Sequence, residues 1–135
     1  MPKVLIVEDS LFFRQLLKEA LHARFPSIDL LEATDGEEAL QKIEAHPPDL
    51  AFIDIKLPGE SGLELTKKIK AQYPNIIIII LTAYDIPEYR EAAYKYKANH
   101  FLSKGSTSKE DILKLVDSIL SDRRKDHSSS KSGKG

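Results

Sequence analysis

The chain contains no cysteine, so disulfide frameworks, thiolate nucleophiles and zinc–thiolate sites are excluded. It has no apolar run approaching the roughly 20 residues that cross a bilayer. Met1-Pro2-Lys3 is followed by only four apolar residues, too few for a signal peptide. Charge of one sign is also missing. Twenty basic against 21 acidic side chains leave a net charge of -1, with no general pull toward nucleic acid. No internal repeat is visible beyond an alternation of short elements. These absences point to a soluble, cytoplasmic protein without membrane attachment. What remains is ordinary globular material: 135 residues, 41% hydrophobic and 30% charged, enough for one domain with one core.

Two periods alternate along the chain. Apolar runs at 4–7, 28–33, 50–53, 76–81 and 100–102 read as strands. Between them, helical spacing is seen over 11–24, 36–45, a segment after Ser61, a segment after Asp85, and a segment after Thr107 built on Ile112, Leu113, Val116, Ile119 and Leu120. Thr34 and Asp35 with Glu37 and Glu38, Ser61 with Glu64, and Thr107 with Glu110 have capping-box spacing, and Asp85 is placed to cap the fourth helix. Five strand–helix repeats predict an α/β domain with a parallel sheet covered by helices on both faces. The pattern stops near Asp122. Residues 1–122 form the expected domain, and the Ser/Lys/Gly-rich segment 123–135 is expected to be a disordered polar tail or linker stub.

The chemistry sits where apolar runs give out. Val4-Leu5-Ile6-Val7 ends in Glu8-Asp9, and Leu50-Ala51-Phe52-Ile53 ends in Asp54. Parallel neighbours would deliver these three carboxylates to one carboxyl edge, where open α/β sheets bind ligands. Two carboxylates 5 Å apart repel by about 3 kcal/mol at an effective dielectric near 20. The cluster therefore predicts a cation. The fourth strand ends in Thr82 and the fifth in Lys104, adding a hydroxyl and one ammonium. An oxygen set of this kind suits Mg²⁺ or Mn²⁺.

With Glu8-Asp9, Glu32-Ala33-Thr34-Asp35-Gly36-Glu37-Glu38-Ala39-Leu40, Asp54-Ile55-Lys56-Leu57-Pro58-Gly59-Glu60-Ser61-Gly62, Thr82-Ala83 and Phe101-Leu102-Ser103-Lys104 in order, the chain resembles the receiver domain of two-component response regulators over about residues 3–121. The resemblance implies a doubly wound five-stranded parallel sheet of order 2-1-3-4-5, the CheY-like variant of the flavodoxin arrangement. It implies that Asp54 accepts a phosphoryl group from a phosphohistidine on a sensor histidine kinase or phosphotransfer protein. It further implies that Glu8, Asp9, Asp54 and the backbone carbonyl of Lys56 hold Mg²⁺, and that Thr82 and Lys104 contact phosphoryl oxygens. Thr82 and Phe101 would form the switch that reports on the surface of the fourth helix, fifth strand and fifth helix. The implied protein is a regulator with at most weak self-phosphorylation and autodephosphorylation, not an enzyme. Its output would be a downstream protein or a C-terminal DNA-binding domain, with no nucleic acid bound by this domain alone.

Some positions depart from the family pattern. Gly105 follows Lys104 where proline is common, Leu57 stands for methionine, and Phe101 lacks the hydroxyl of a tyrosine. Asn99 is expected to take a left-handed turn in the absence of a glycine there. Lys56 and Tyr84 occupy positions that tune the lifetime of the phosphoryl group in the family. Tyr84, Tyr89, Tyr94 and Tyr96 crowd the fourth helix region, a pattern that fits a docking face. The four histidines lack ligand spacing. Two other classes stand against this reading. An aspartyl-phosphate phosphatase of the haloacid-dehalogenase type needs an acid two residues past the nucleophile, where this chain has Lys56. A receiver-shaped scaffold that is never phosphorylated usually lacks one of the acids, the hydroxyl or the lysine, and all are present here.

Overall fold

A computed structural model describes residues 2–134, with side chains described through Arg123. The elements alternate throughout: β1 (Lys3–Val7), α1 (Leu11–Arg24), β2 (Asp29–Ala33), α2 (Gly36–Ala45), β3 (Leu50–Ile53), α3 (Gly62–Gln72), β4 (Ile77–Thr82), α4 (Pro87–Lys95), β5 (His100–Ser103) and α5 (Lys109–Lys134). All strand pairs are parallel, and the sheet order is β2-β1-β3-β4-β5. This is the doubly wound arrangement that the sequence implies.

The strand runs are continuously apolar because both faces are covered. Leu5, Val7, Ala51, Ile53, Ile78 and Ile80 pack with Ala39, Ile43, Leu65, Ile69 and Ala93 from α2, α3 and α4. Their alternates Val4, Ile6, Leu50, Phe52, Ile79 and Leu81 pack with Leu17, Leu21, Ile112, Val116 and Leu120 from α1 and α5. The period of two sends successive side chains into opposite layers, and each buried side chain of this size stabilises the fold by about 1.5–3 kcal/mol. Among the described residues, no helix is long and apolar enough to cross a membrane.

Helix starts follow short polar side chains, with three shifts from expectation. Ser10, Asp35 and Ser61 accept from the backbone N–H groups of Phe13, Glu38 and Leu63 at 3.2, 2.8 and 3.0 Å. Glu38 answers by accepting from the Thr34 N–H at 2.7 Å, so Thr34 and Asp35 divide one capping box between them. Ser108, not Thr107, caps α5 by accepting from the Asp111 N–H at 3.0 Å. Helix α4 has Ile86 at its cap and no side-chain cap bond, because Asp85 is taken up by Arg90 at 2.9 Å.

The left-handed residue before β5 is Lys97, with φ of 73°, and not Asn99. Asn99 instead spends its side chain on β4, accepting from the Ile78 N–H at 2.9 Å. A side chain in the left-handed region costs about 1–2 kcal/mol relative to glycine. Lys97→Gly is therefore expected to raise stability by up to about 1 kcal/mol once glycine's greater unfolded-state freedom is subtracted. A urea midpoint at or below that of the parent chain would contradict this.

Midway along α5, Arg123 donates to the Asn75 carbonyl at 3.0 Å and lies 3.5 Å from Asp49, at the amino edge of the sheet. The remainder of the expected polar tail, from 124 onward, lies outside the residues whose side chains are described.

Candidate functional site

The sheet register brings the site together. Val7 pairs with Ile53, Ile53 with Ile80, and Thr82 with Ser103. Backbone bonds continue each ladder by one residue past the strand ends. Glu8 donates to Ala33 at 3.0 Å, Asp54 to Val7 at 3.0 Å, and Lys104 to Thr82 at 2.8 Å. Glu8, Asp54 and Lys104 are thus the first residues beyond β1, β3 and β5, still fixed by the sheet, and Thr82 is the last residue of β4.

Glu8, Asp9 and Asp54 each place a carboxylate oxygen within 4.8 Å of the others. Glu8 and Asp54 are buried, at 3% and 8% exposure, while Asp9 is exposed. Lys104 bridges the buried pair, donating to Glu8 Oε1 at 2.6 Å and to Asp54 Oδ2 at 3.2 Å. The remaining oxygens are met by backbone: Glu8 Oε2 accepts from the Ser10 N–H at 2.9 Å and Asp54 Oδ1 from the Ile55 N–H at 2.7 Å.

Burial pushes the Glu8 carboxyl above its usual range, and the neighbouring Asp54 charge adds to this against the opposing bonds from Lys104 and Ser10. For Lys104, burial pulls the ammonium down, but its bond to Glu8 and the charges of Asp54 and Glu8 outweigh burial and hold it above the ordinary lysine value. Three acids and one amine leave this rim two negative charges in excess when all four are ionised. An all-oxygen set with that deficit, close-spaced and partly open through Asp9, fits a hard divalent cation.

Thr82 is fully buried, and its hydroxyl accepts from the Tyr84 N–H at 3.3 Å, with its own proton available to donate. Phe101 is buried at 4% exposure. Lys56 follows Asp54 by two residues, and its side chain leaves the carboxylates. Its ammonium donates to the Tyr89 hydroxyl at 3.2 Å and lies 5.1 Å from the centre of the Tyr84 ring.

Two further residues shape the site and carried no signal in the sequence. Phe13 lays its ring 4.1 Å from the Lys104 ammonium, a cation–π contact that shields it from water. Arg14 donates to the Glu8 backbone carbonyl at 2.7 Å while its Nε holds Glu32 at 2.8 Å. Both sit on α1, one turn beyond the acids, where aromatic and basic residues read equally well as core filling and as solvated surface.

The sequence matches the response regulator receiver domain family over residues 4–117. It is 33% identical to the chemotaxis protein CheY of Halobacterium salinarum over 118 residues, covering 87% of this chain and 96% of that one. It is 36% identical to the uncharacterized transcriptional regulatory protein YesN of Bacillus subtilis over 95 residues, 70% of this chain. The match spans only 26% of YesN, so relatives of this kind are far longer than the present sequence. The crystal structure of a CheY-like receiver domain protein from Methanospirillum hungatei superposes with a TM-score of 0.85 at 28% identity, covering 93% of this chain and 98% of that one. With the convergent acids, the bridging lysine and the 2-1-3-4-5 sheet in place, the chain belongs to the receiver domains of two-component response regulators.

Proposed function

We propose that Asp54 accepts a phosphoryl group from a phosphohistidine on a sensor kinase or phosphotransfer protein, in the presence of Mg²⁺ or Mn²⁺. The observation that carries this reading is the convergence of Glu8, Asp9 and Asp54 with Lys104 already bonded to both buried acids. Glu8, Asp9, Asp54 and the Lys56 carbonyl would hold the cation, which when bound supplies positive charge to offset the negative charge of the phosphoryl oxygens.

In the transfer, an Asp54 carboxylate oxygen forms the new P–O bond as the P–N bond to the donor imidazole breaks, and the bonding pair returns to the imidazole nitrogen. Such transfers depend on positioning and charge neutralisation. The Ile55 N–H fixes the orientation of the Asp54 carboxylate. Lys104 stays anchored on Glu8 and can exchange its longer 3.2 Å contact with Asp54 for a phosphoryl oxygen. Thr82 offers a hydroxyl proton to another. Movement of Thr82 toward the acyl phosphate, followed by Phe101, would then alter the surface of α4, β5 and α5.

Leu11, Phe12 and Leu16 on α1 are 60%, 75% and 47% exposed beside this rim. An apolar face there suits docking of the donor. The output is a downstream protein or a C-terminal DNA-binding domain, and the site works in the cytoplasm as a switch, with only slow turnover of its own phosphate.

Intact-mass analysis after incubation with acetyl phosphate and Mg²⁺ tests the assignment. The parent chain is expected to gain one phosphoryl group, and Asp54→Asn to lose at least nine-tenths of that labelling. Labelling of Asp54→Asn at the parent level would remove Asp54 from the role.

A further inference from the structure

We propose that Arg90 is a positioning residue for Phe101: its guanidinium, tied to Asp85 in the loop after β4, holds the ring inward until that loop moves. The inference rests on the switch role given to Thr82 and Phe101 above.

Two contacts and a contrast in exposure carry it. The Arg90 guanidinium carbon lies 4.6 Å from the centre of the Phe101 ring. Its Nη2 donates to Asp85 Oδ1 at 2.9 Å. Phe101 beneath it is buried at 4% exposure, whereas Arg90 and Asp85 side chains are 44% and 38% exposed. The guanidinium therefore forms a lid between the ring and solvent. Phenylalanine has no hydroxyl with which to select an inward or outward partner, so a cation over its face supplies the preference that its own side chain lacks.

The geometry also gives the lid a handle. Asp85 stands three residues beyond Thr82 in one short loop, with the Tyr84 N–H bonded to the Thr82 hydroxyl. A Thr82 hydroxyl drawn toward a phosphoryl oxygen gives up or stretches that bond. The loop that bears Asp85 shifts with it, and Arg90 is carried along the Phe101 face. Asp85 thus forgoes capping α4, leaving that helix without a side-chain cap, and connects the phosphate-sensing loop to the aromatic ring.

Incorporation of 4-fluorophenylalanine, with the Phe101 resonance assigned through Phe101→Leu, reads the ring directly. In the unphosphorylated protein, a neutral soluble nitroxide should broaden the Phe101 signal roughly fivefold more in Arg90→Gln than in the parent, the scale of one cation–π contact. Arg90→Lys, which keeps a cation, should retain most of the protection, and Asp85→Asn should fall between. With Mg²⁺ and beryllofluoride as phosphoryl mimic, Arg90→Gln should reach the activated ring signal at a several-fold lower beryllofluoride concentration. Urea midpoints confirm that the variants are folded. Parent-like broadening in Arg90→Gln, or equal broadening in Arg90→Gln and Arg90→Lys, would overturn the proposal. A failure of the site reading shows differently: acetyl phosphate would leave Asp54 unlabelled in the parent, while the ring measurement in the free protein still decides the Arg90 contact.

Discussion

Gly62→Ala is expected to destabilise the domain by about 3 kcal/mol or more, at the upper end of overpacking effects. A Cβ at this position would lie 1.9 Å from the Asp54 carbonyl oxygen, 2.8 Å from its carbonyl carbon and 2.9 Å from Ile53 Cγ2. Two of these atoms are backbone, so no side chain can rotate away. The start of α3 would have to retreat from the end of β3. That retreat opposes the Gly62 N–H bond to Ile55 at 2.8 Å and the bond from the buried Thr66 hydroxyl to the Gly62 carbonyl at 2.8 Å.

The displacement falls on the residue proposed to take the phosphoryl group. A misplacement near 1 Å can cost on the order of 100-fold in rate, so labelling of Asp54 by acetyl phosphate should slow even in buffer where the variant stays folded. Gly59→Ala is the informative companion. Gly59 has φ of 80° but open space around its Cβ position, so only backbone strain of about 1–2 kcal/mol is expected. Urea denaturation followed by circular dichroism separates the two. A Gly62→Ala variant within 1 kcal/mol of the parent would show that α3 is not wedged against Asp54.

Lys104→Met is expected to cost about 3–5 kcal/mol in metal-free buffer at neutral pH, because it leaves buried Glu8 and Asp54 facing each other without a cation. Linkage gives the expected pH dependence. Glu8 binds its proton more tightly in the folded protein than in the unfolded chain. Its contribution to stability is complete below the ordinary carboxylate range and is withdrawn as pH climbs through its raised folded value. Lys104, also raised, contributes up to the ordinary lysine range and loses that contribution only as pH rises beyond it.

Metal-free stability of the parent should therefore fall from mildly acid toward neutral pH, and fall more steeply in Lys104→Met. Mg²⁺ should stabilise the variant more than the parent, since the ammonium no longer competes for the same oxygens and binding adds to folding by mass action. Matched urea midpoints for the two proteins without metal, or an equal response to Mg²⁺, would count against a shared charge site. Some labelling of Asp54 should persist in the variant, because Asp54 and the other acids remain.

The sheet and its order were legible because buried parallel strands leave an unmistakable trace: runs such as Ile76–Leu81, with no polar residue to face water. Glu8, Asp9, Asp54, Thr82 and Lys104 were legible for a related reason, each falling within the first two polar residues after such a run. What could not be read depended on choices between neighbours. Asp85 and Ile86 compete for the cap of α4, and the outcome turns on Arg90 a turn away. Thr107 and Ser108 are both competent caps, and only the path of the chain from β5 favours Ser108. Lys97 takes the left-handed turn because it follows the end of α4, where the Ala98 N–H bonds back to Ala93 at 2.9 Å and the Lys97 N–H to Tyr94 at 3.0 Å, closing the helix in the manner that needs a left-handed residue there. Arg14 and Phe13 reach the site through tertiary packing, which single-sequence periodicity does not encode.

Helix α4 begins on Ile86 with no side-chain acceptor for its opening amides. Pro87 carries no N–H, and the Tyr89 and Arg90 N–H groups both donate to the Ile86 carbonyl at 3.1 Å, so this end is held by short backbone bonds alone. The opening turn of α4 should be among the earliest regular segments to exchange its amide hydrogens. A helix fastened at its start by backbone bonds alone can tilt or slide at small energetic expense, and it leads directly to the aromatic ring that the loop before it is proposed to control.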